Sequence, residues 1–240
     1  MTQQKPTVVL VHGAFAESAS WNGVIERLRA HSIPVLAVAN PLRSLPGDAA
    51  YVRDVLAGID APVVLVGHSY GGMVITEAAA GSDKVAGLVY VCAFAPEPGE
   101  SAFELSTKFP GSTLGEALTA YPISSGGNEF AIRADAFHHQ FAADVPAAQA
   151  AVMSATQRPV TEAALTAGLP SDTPAWRSIP SWFVFSDQDL NIPVALHRYL
   201  AERAGAKGVR EVPGASHALS VSQPDAVTAS ILETVHAVAA

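Results

Sequence analysis

A single cysteine among 240 residues removes any intramolecular disulfide from consideration, so the fold must rest on its core alone. Charge is equally scarce: Asp, Glu, Lys and Arg make up 15% of the chain, against 49% hydrophobic residues. That balance excludes a disordered segment or a charged coiled coil and predicts a compact domain with an ample core. The 14 Lys and Arg residues are scattered, and the formal net charge is -8, so a phosphate-backbone partner is not expected. No stretch approaches the roughly 18 uninterrupted apolar residues needed to span a bilayer. The start, Met1 to Pro6, runs into an apolar strand with neither an h-region nor a small-residue cleavage site, which gives the expectation of a cytoplasmic protein. Cys92 follows the apolar run Leu88 to Val91 and reads as a buried structural thiol.

What the sequence does have is a rhythm. Short apolar runs, Val8 to Val11, Val35 to Val38, Val63 to Val66 and Leu88 to Val91, alternate with helix-period segments at Trp21 to His31, Asp48 to Ile59 and Met73 to Ala80. Continuously apolar strands with helices between them predict an α/β fold with a mostly parallel sheet covered on both faces. The rhythm stops near Pro96 and resumes at Trp182 to Phe185, followed by a helix from Pro193 to Ala204, a strand at Val209 to Val212 and a closing helix from about Asp225 to Ala239. About six strands are therefore expected. Residues 97–176 show helix-like stretches at Gly115 to Ala120, Ala134 to Phe141, Ala147 to Ala155 and Val160 to Ala167, but no clear strand. They read as a small helical cap inserted into a core made of residues 1–96 and 177–240.

Chemistry concentrates in Gly67-His68-Ser69-Tyr70-Gly71-Gly72, a G-x-S-x-G between an apolar strand and an apolar helix. In a nucleophile elbow the serine occupies a strained strand-to-helix turn and projects its hydroxyl above the sheet edge. Ser69 is the candidate nucleophile, and a serine hydroxyl at neutral pH needs a base. Of eight histidines, His217 lies in a small-residue loop just after the last strand, on the side where open α/β sheets place ligands. His31, His197 and His236 fall in or at the ends of predicted helices and read as solvated surface positions, and His68 reads as packing behind the elbow. An acceptor for the base is offered by Asp187 or Asp189; Pro193 opens the next helix and leaves Asp189 free to reach inward, so Asp189 is preferred. The backbone N–H groups of Ala14 and Tyr70 are candidate oxyanion donors, with Gly13 letting the turn after the first strand swing toward them. Phe15 in that turn, and His138 in the insertion, are candidates to line a substrate pocket. The pair His138-His139 lacks a third ligand at suitable spacing, so no metal is expected.

The elbow, the His12-Gly13 turn and the order Ser69, Asp189, His217 together resemble the α/β-hydrolase family over nearly the whole chain. Within it, the sequence resembles compact bacterial esterases related to plant methylesterases and hydroxynitrile lyases, and Asp189-Leu190-Asn191-Ile192-Pro193 resembles the acid loop of that group. The resemblance implies cleavage of a carboxylic ester through an acyl-enzyme, with no metal and no organic cofactor. Perhydrolase, lactonase or carbon–carbon hydrolase chemistry on the same fold, or a non-catalytic receptor, are the alternatives. Hydroxynitrile lyases of the group carry a lysine after the catalytic histidine, where this chain has Ala218, and a threonine where it has Gly13; both departures weaken the lyase reading. The expected partner is a small-molecule ester; a homodimer is left open, and neither nucleic acid nor a membrane is expected.

Overall fold

The computed structural model describes residues 5–239; the opening Met1 to Gln4, read above for an export signal, and Ala240 lie outside them. Strands β1 (Thr7–Val11), β2 (Val35–Val38), β3 (Val63–His68) and β4 (Val85–Val91) alternate with helices α1 (Asn22–Ala30), α2 (Leu45–Ala57) and α3 (Gly71–Ala78). After β4 come α4 (Ala102–Ser106), α5 (Leu114–Ala117), β5 (Leu118–Pro122), β6 (Asn128–Ile132), α6 (Ala134–Phe141), α7 (Ala147–Thr156), β7 (Val160–Thr161) and α8 (Glu162–Thr166). The chain closes with β8 (Ser181–Ser186), α9 (Val194–Arg203), β9 (Gly208–Val212), α10 (Leu219–Ser222) and α11 (Pro224–Val238).

Six strands form one parallel sheet in the order β2-β1-β3-β4-β8-β9. Every residue of β3 and β8 is buried, as expected of strands covered by helices on both faces. Val8 to Val11, Val63 to Val66 and Leu88 to Val91 are completely buried and form the centre of the core. Local signals set the helix starts: Ser44 accepts from the Gly47 N–H ahead of α2, and Ser101 and Glu104 form a capping box at α4.

The segment between β4 and β8 differs from the all-helical expectation. It carries a three-stranded antiparallel sheet, β5-β6-β7, in which Leu118 pairs with Ile132, Ala120 with Phe130, and Phe130 with Val160. Residues expected to be helical, Leu118 to Ala120 and Val160 to Thr161, are extended instead. The overlooked signal is Gly126-Gly127, both at positive φ (93° and 80°), which closes the hairpin between Pro122 and Asn128. The segment is tied to the parallel sheet at its C-terminal end, where the Trp176 indole N–H donates to the Pro96 carbonyl at 2.8 Å.

No helix among the described residues is long and apolar enough to cross a membrane.

Candidate functional site

Ser69 follows β3 directly and precedes α3, with φ at 54°, in the left-handed region that a residue with a Cβ disfavours. The neighbouring backbone explains how this is held. A Cβ on Gly13 would sit 2.6 Å from both the His68 carbonyl oxygen and the Ser69 Cβ, so only glycine lets the turn after β1 pass against the elbow. The Ser69 N–H donates to the Val91 carbonyl at 3.2 Å, and its own carbonyl accepts from the Gly72 and Phe94 N–H groups at 2.9 and 3.3 Å. The Tyr70 side chain runs back under α2, donating to Asp48 Oδ2 at 2.9 Å; burial raises the Asp48 carboxyl above its usual range.

Asp189 lies in the loop between β8 and α9 and is buried. Its Oδ1 accepts from the backbone N–H groups of Asn191 and Ile192 at 2.8 and 2.9 Å. Its Oδ2 accepts from His217 Nδ1 at 2.7 Å and from His197 Nε2 at 3.1 Å. Burial pushes this carboxyl up, but His217, together with the hydrogen bonds from both histidines, holds it well below the ordinary carboxylate range. Because His217 donates through Nδ1, its neutral form carries an unprotonated Nε2, which is buried and has no hydrogen-bond partner among the described residues. Asp187 instead accepts from the Gly214 N–H at 2.7 Å and closes the turn after β9.

His217 is itself clamped. Its carbonyl accepts from His68 Nε2 at 3.0 Å, and the Phe141 ring stands edge-on to the imidazole at 5.0 Å. The Ala218 N–H donates to the Phe141 carbonyl at 2.9 Å, and Ser216 donates from its N–H at 3.1 Å, and from its hydroxyl, to Asp144 Oδ1. The loop that carries Asp189 is held from the same segment, since the Gln140 amide donates to Leu190 O at 2.9 Å and to Asn191 Oδ1 at 2.8 Å.

A cavity of about 470 Å³ opens beside the elbow, lined by Ser69, Tyr70, Ala14 and Phe15 below and by residues of the α4–α5 region above. Neither the Ala14 nor the Tyr70 backbone N–H donates to a protein acceptor among the described residues. Phe15 lines this cavity with a φ of 61°. His138 is not among the residues that line it: its Nε2 donates to the Val145 carbonyl at 2.8 Å and fastens α6 to the following loop.

His197 departs from its expected place. The sequence suggested a solvated helix position, which does hold for His31 and His236, but His197 is 1% exposed, stacked on Phe185 at 5.1 Å and bonded to Asp189. A signal existed in the spacing, because His197 shares its helix stripe with Leu200 and Ala201, both buried. Asp144 and Gln140 were also missed; the loop residues they hold lie 50 to 72 residues away. Cys92, Asp189 and His197 bring one potential metal-ligand atom each within 4.8 Å, although the Asp189 and His197 atoms already satisfy each other.

The chain belongs to the alpha/beta hydrolase family, whose model matches residues 8–230. An alpha/beta hydrolase of Aspergillus novofumigatus, nvfD, is 30% identical over 95% of this chain and 95% of its own length. The pyrethroid hydrolase of Sphingobium wenxiniae is 28% identical, over 94% of this chain and 86% of its own. In a crystal structure, polyneuridine aldehyde esterase shares the fold with a TM-score of 0.82 at 23% identity, covering 96% of this chain and 99% of that one.

The buried histidines carry a consequence for stability. Burial is the main cause that lowers His12 to about 4 and His68 to about 3, and it lowers His197 as well. The folded protein keeps His12 and His68 neutral down to about those values, while the unfolded chain protonates them below about 6.5. Their contribution is therefore complete above that pH and is lost as pH falls toward 4. The urea midpoint is expected to drop steadily between pH 7 and pH 4.5; a flat profile over that interval would show that these groups do not govern acid stability.

Proposed function

We propose that this hydrolase of the carboxylesterase type cleaves its ester through Ser69, His217 and Asp189. The observation that carries the reading is the 2.7 Å hydrogen bond from His217 Nδ1 to a buried, strongly acidic Asp189, in the same fold edge as a strained Ser69 that lines an apolar cavity. Ser69 Oγ attacks the ester carbonyl carbon as His217 Nε2 takes its proton, and the Asp189 carboxylate stabilises the imidazolium so formed. The carbonyl oxygen gains negative charge, for which the N–H groups of Ala14 and Tyr70 are the proposed donors. Collapse breaks the bond to the alkoxy oxygen, which leaves with the proton from His217. Water, deprotonated by the same nitrogen, then releases the acid and restores Ser69. Ser69 Oγ and His217 Nε2 share no hydrogen bond in the free site; such contacts commonly tighten once substrate is bound.

Ser69→Ala is expected to lower ester turnover by several powers of ten while leaving thermal unfolding in place, and a fluorophosphonate probe should label the wild type once, at Ser69. Labelling at another residue, or full turnover by the alanine variant, would remove Ser69 from the reaction.

The two aspartates separate in the same assay. Asp189→Asn is expected to cost about four powers of ten in kcat, since an amide presents its own N–H to the imidazole and favours the wrong tautomer. Asp187→Asn disturbs only the turn at Gly214 and should stay within about tenfold of wild type. The opposite ranking would reassign the acid.

A further inference from the structure

A second cavity, of about 500 Å³, lies beyond the first, on the side of β5, β6 and α8. The two share a wall made of Phe103, Gly115, Leu118 and Leu165. Two features of that wall do not follow from folding needs. Phe103 is 59% exposed, a large ring left bare where the two cavities meet. Gly115 sits in α5, where glycine weakens a helix relative to alanine. Its backbone does not require glycine, since its φ is not in the left-handed region, and a Cβ built on it meets no atom within 4 Å. The missing side chain is thus free space on the boundary of both cavities. Among the lining residues of either, no Lys, Arg or His appears; the charges are the carboxylates of Glu116 in the first and Glu162 in the second.

Resting on the esterase reading above, we infer that the two cavities form one bipartite substrate site: the ester carbonyl sits at Ser69, and an uncharged apolar arm of the substrate passes Gly115 and Phe103 into the second cavity. The substrate class is a neutral ester with one long or bulky apolar arm. A free carboxylate on that arm would meet only Glu116 and Glu162, with no cation to receive it.

The test is a chain-length series on purified protein. Acyl length is varied in p-nitrophenyl esters from acetate to decanoate, alcohol length in alkyl acetates, and the two arms show which side of the ester enters. In the wild type, kcat/KM is expected to rise by up to about fourfold per methylene in one series, the limit set by burying a CH₂ group. Gly115→Leu, at the passage, and Thr166→Trp, in the far cavity, should each cut the long-to-short ratio of kcat/KM by tenfold or more, with Gly115→Ala intermediate. A terminal carboxylate on the favoured arm should erase the gain. A ratio unchanged in both variants, or no gain with length in the wild type, overturns the bipartite site while leaving the esterase reading intact. Absence of turnover for every ester would overturn the esterase reading itself.

A second inference stands on a separate observation, the shared oxygen of Asp189. His197 Nε2 and His217 Nδ1 converge on Oδ2, and stacking on Phe185 fixes the His197 ring. The geometry points to His197 as a positioning residue that holds Asp189 in the orientation His217 needs; the other titratable group in the cluster is the buried Cys92 thiol. His197→Leu, which cannot donate, is expected to lower kcat tenfold or more with KM within threefold. His197→Gln, whose amide can donate, should keep kcat within threefold of wild type. Rates are normalised to sites titrated with a fluorophosphonate, so loss of folded protein does not count. Wild-type kcat in His197→Leu, or equal losses in the two variants, would reduce His197 to a packing role.

Discussion

An ionised carboxylate removed from water needs a partner for each of its lone-pair directions, and Asp189 is the place where this protein meets that demand. Four donors converge on it, from three parts of the chain: two N–H groups of its own loop, an imidazole from α9, and an imidazole from the loop after β9. Satisfying the carboxylate therefore fixes the start of α9 and the tautomer and orientation of His217 at once. The arrangement depends on the parallel sheet, because β8 and β9 must lie side by side for their following loops to meet.

The elbow works by a different means. There the backbone is held in an unfavourable conformation by crowding, with β1, β3 and β4 delivering Phe15, Ser69 and Cys92, all at positive φ, to adjacent points on the sheet edge. Strain of this kind costs of order 1–3 kcal/mol per residue and persists only where the surroundings over-determine it. Here the surroundings are a fully buried core of strand residues and a glycine at position 13.

How much of this could be read from the residues follows from how local each determinant is. The parallel strands declare themselves by continuous apolar runs, and Ser69, Asp189 and His217 each sit within a few residues of a strand end, so topology alone brings them to one edge. The small sheet in the insertion was hidden because its strands are short, and Leu118 to Pro122, largely exposed, carries no period-2 pattern strong enough to outweigh Ala and Leu helix propensity. His197 was misjudged since a polar residue on a helix is ordinarily solvated, and only the position of a partner in another element reverses that. Asp144 and Gln140 belong to the same class: no spacing in the chain announces a contact with a loop 50 to 72 residues away.

The hold that α6 and its following loop take on the loop carrying His217 has a wider consequence. Phe141, Asp144 and Gln140 belong to the same insertion as the α4–α5 residues that roof the cavity, yet they hold the loops that carry Asp189 and His217. The roof is thus not an interchangeable module. A lineage adapting this scaffold to new substrates is free to vary the stretch around α4 and α5, but exchange of the whole insertion has to preserve these three contacts. Diversification is channelled into one half of the insertion, while the other half is inherited with the sheet edge that carries Asp189 and His217.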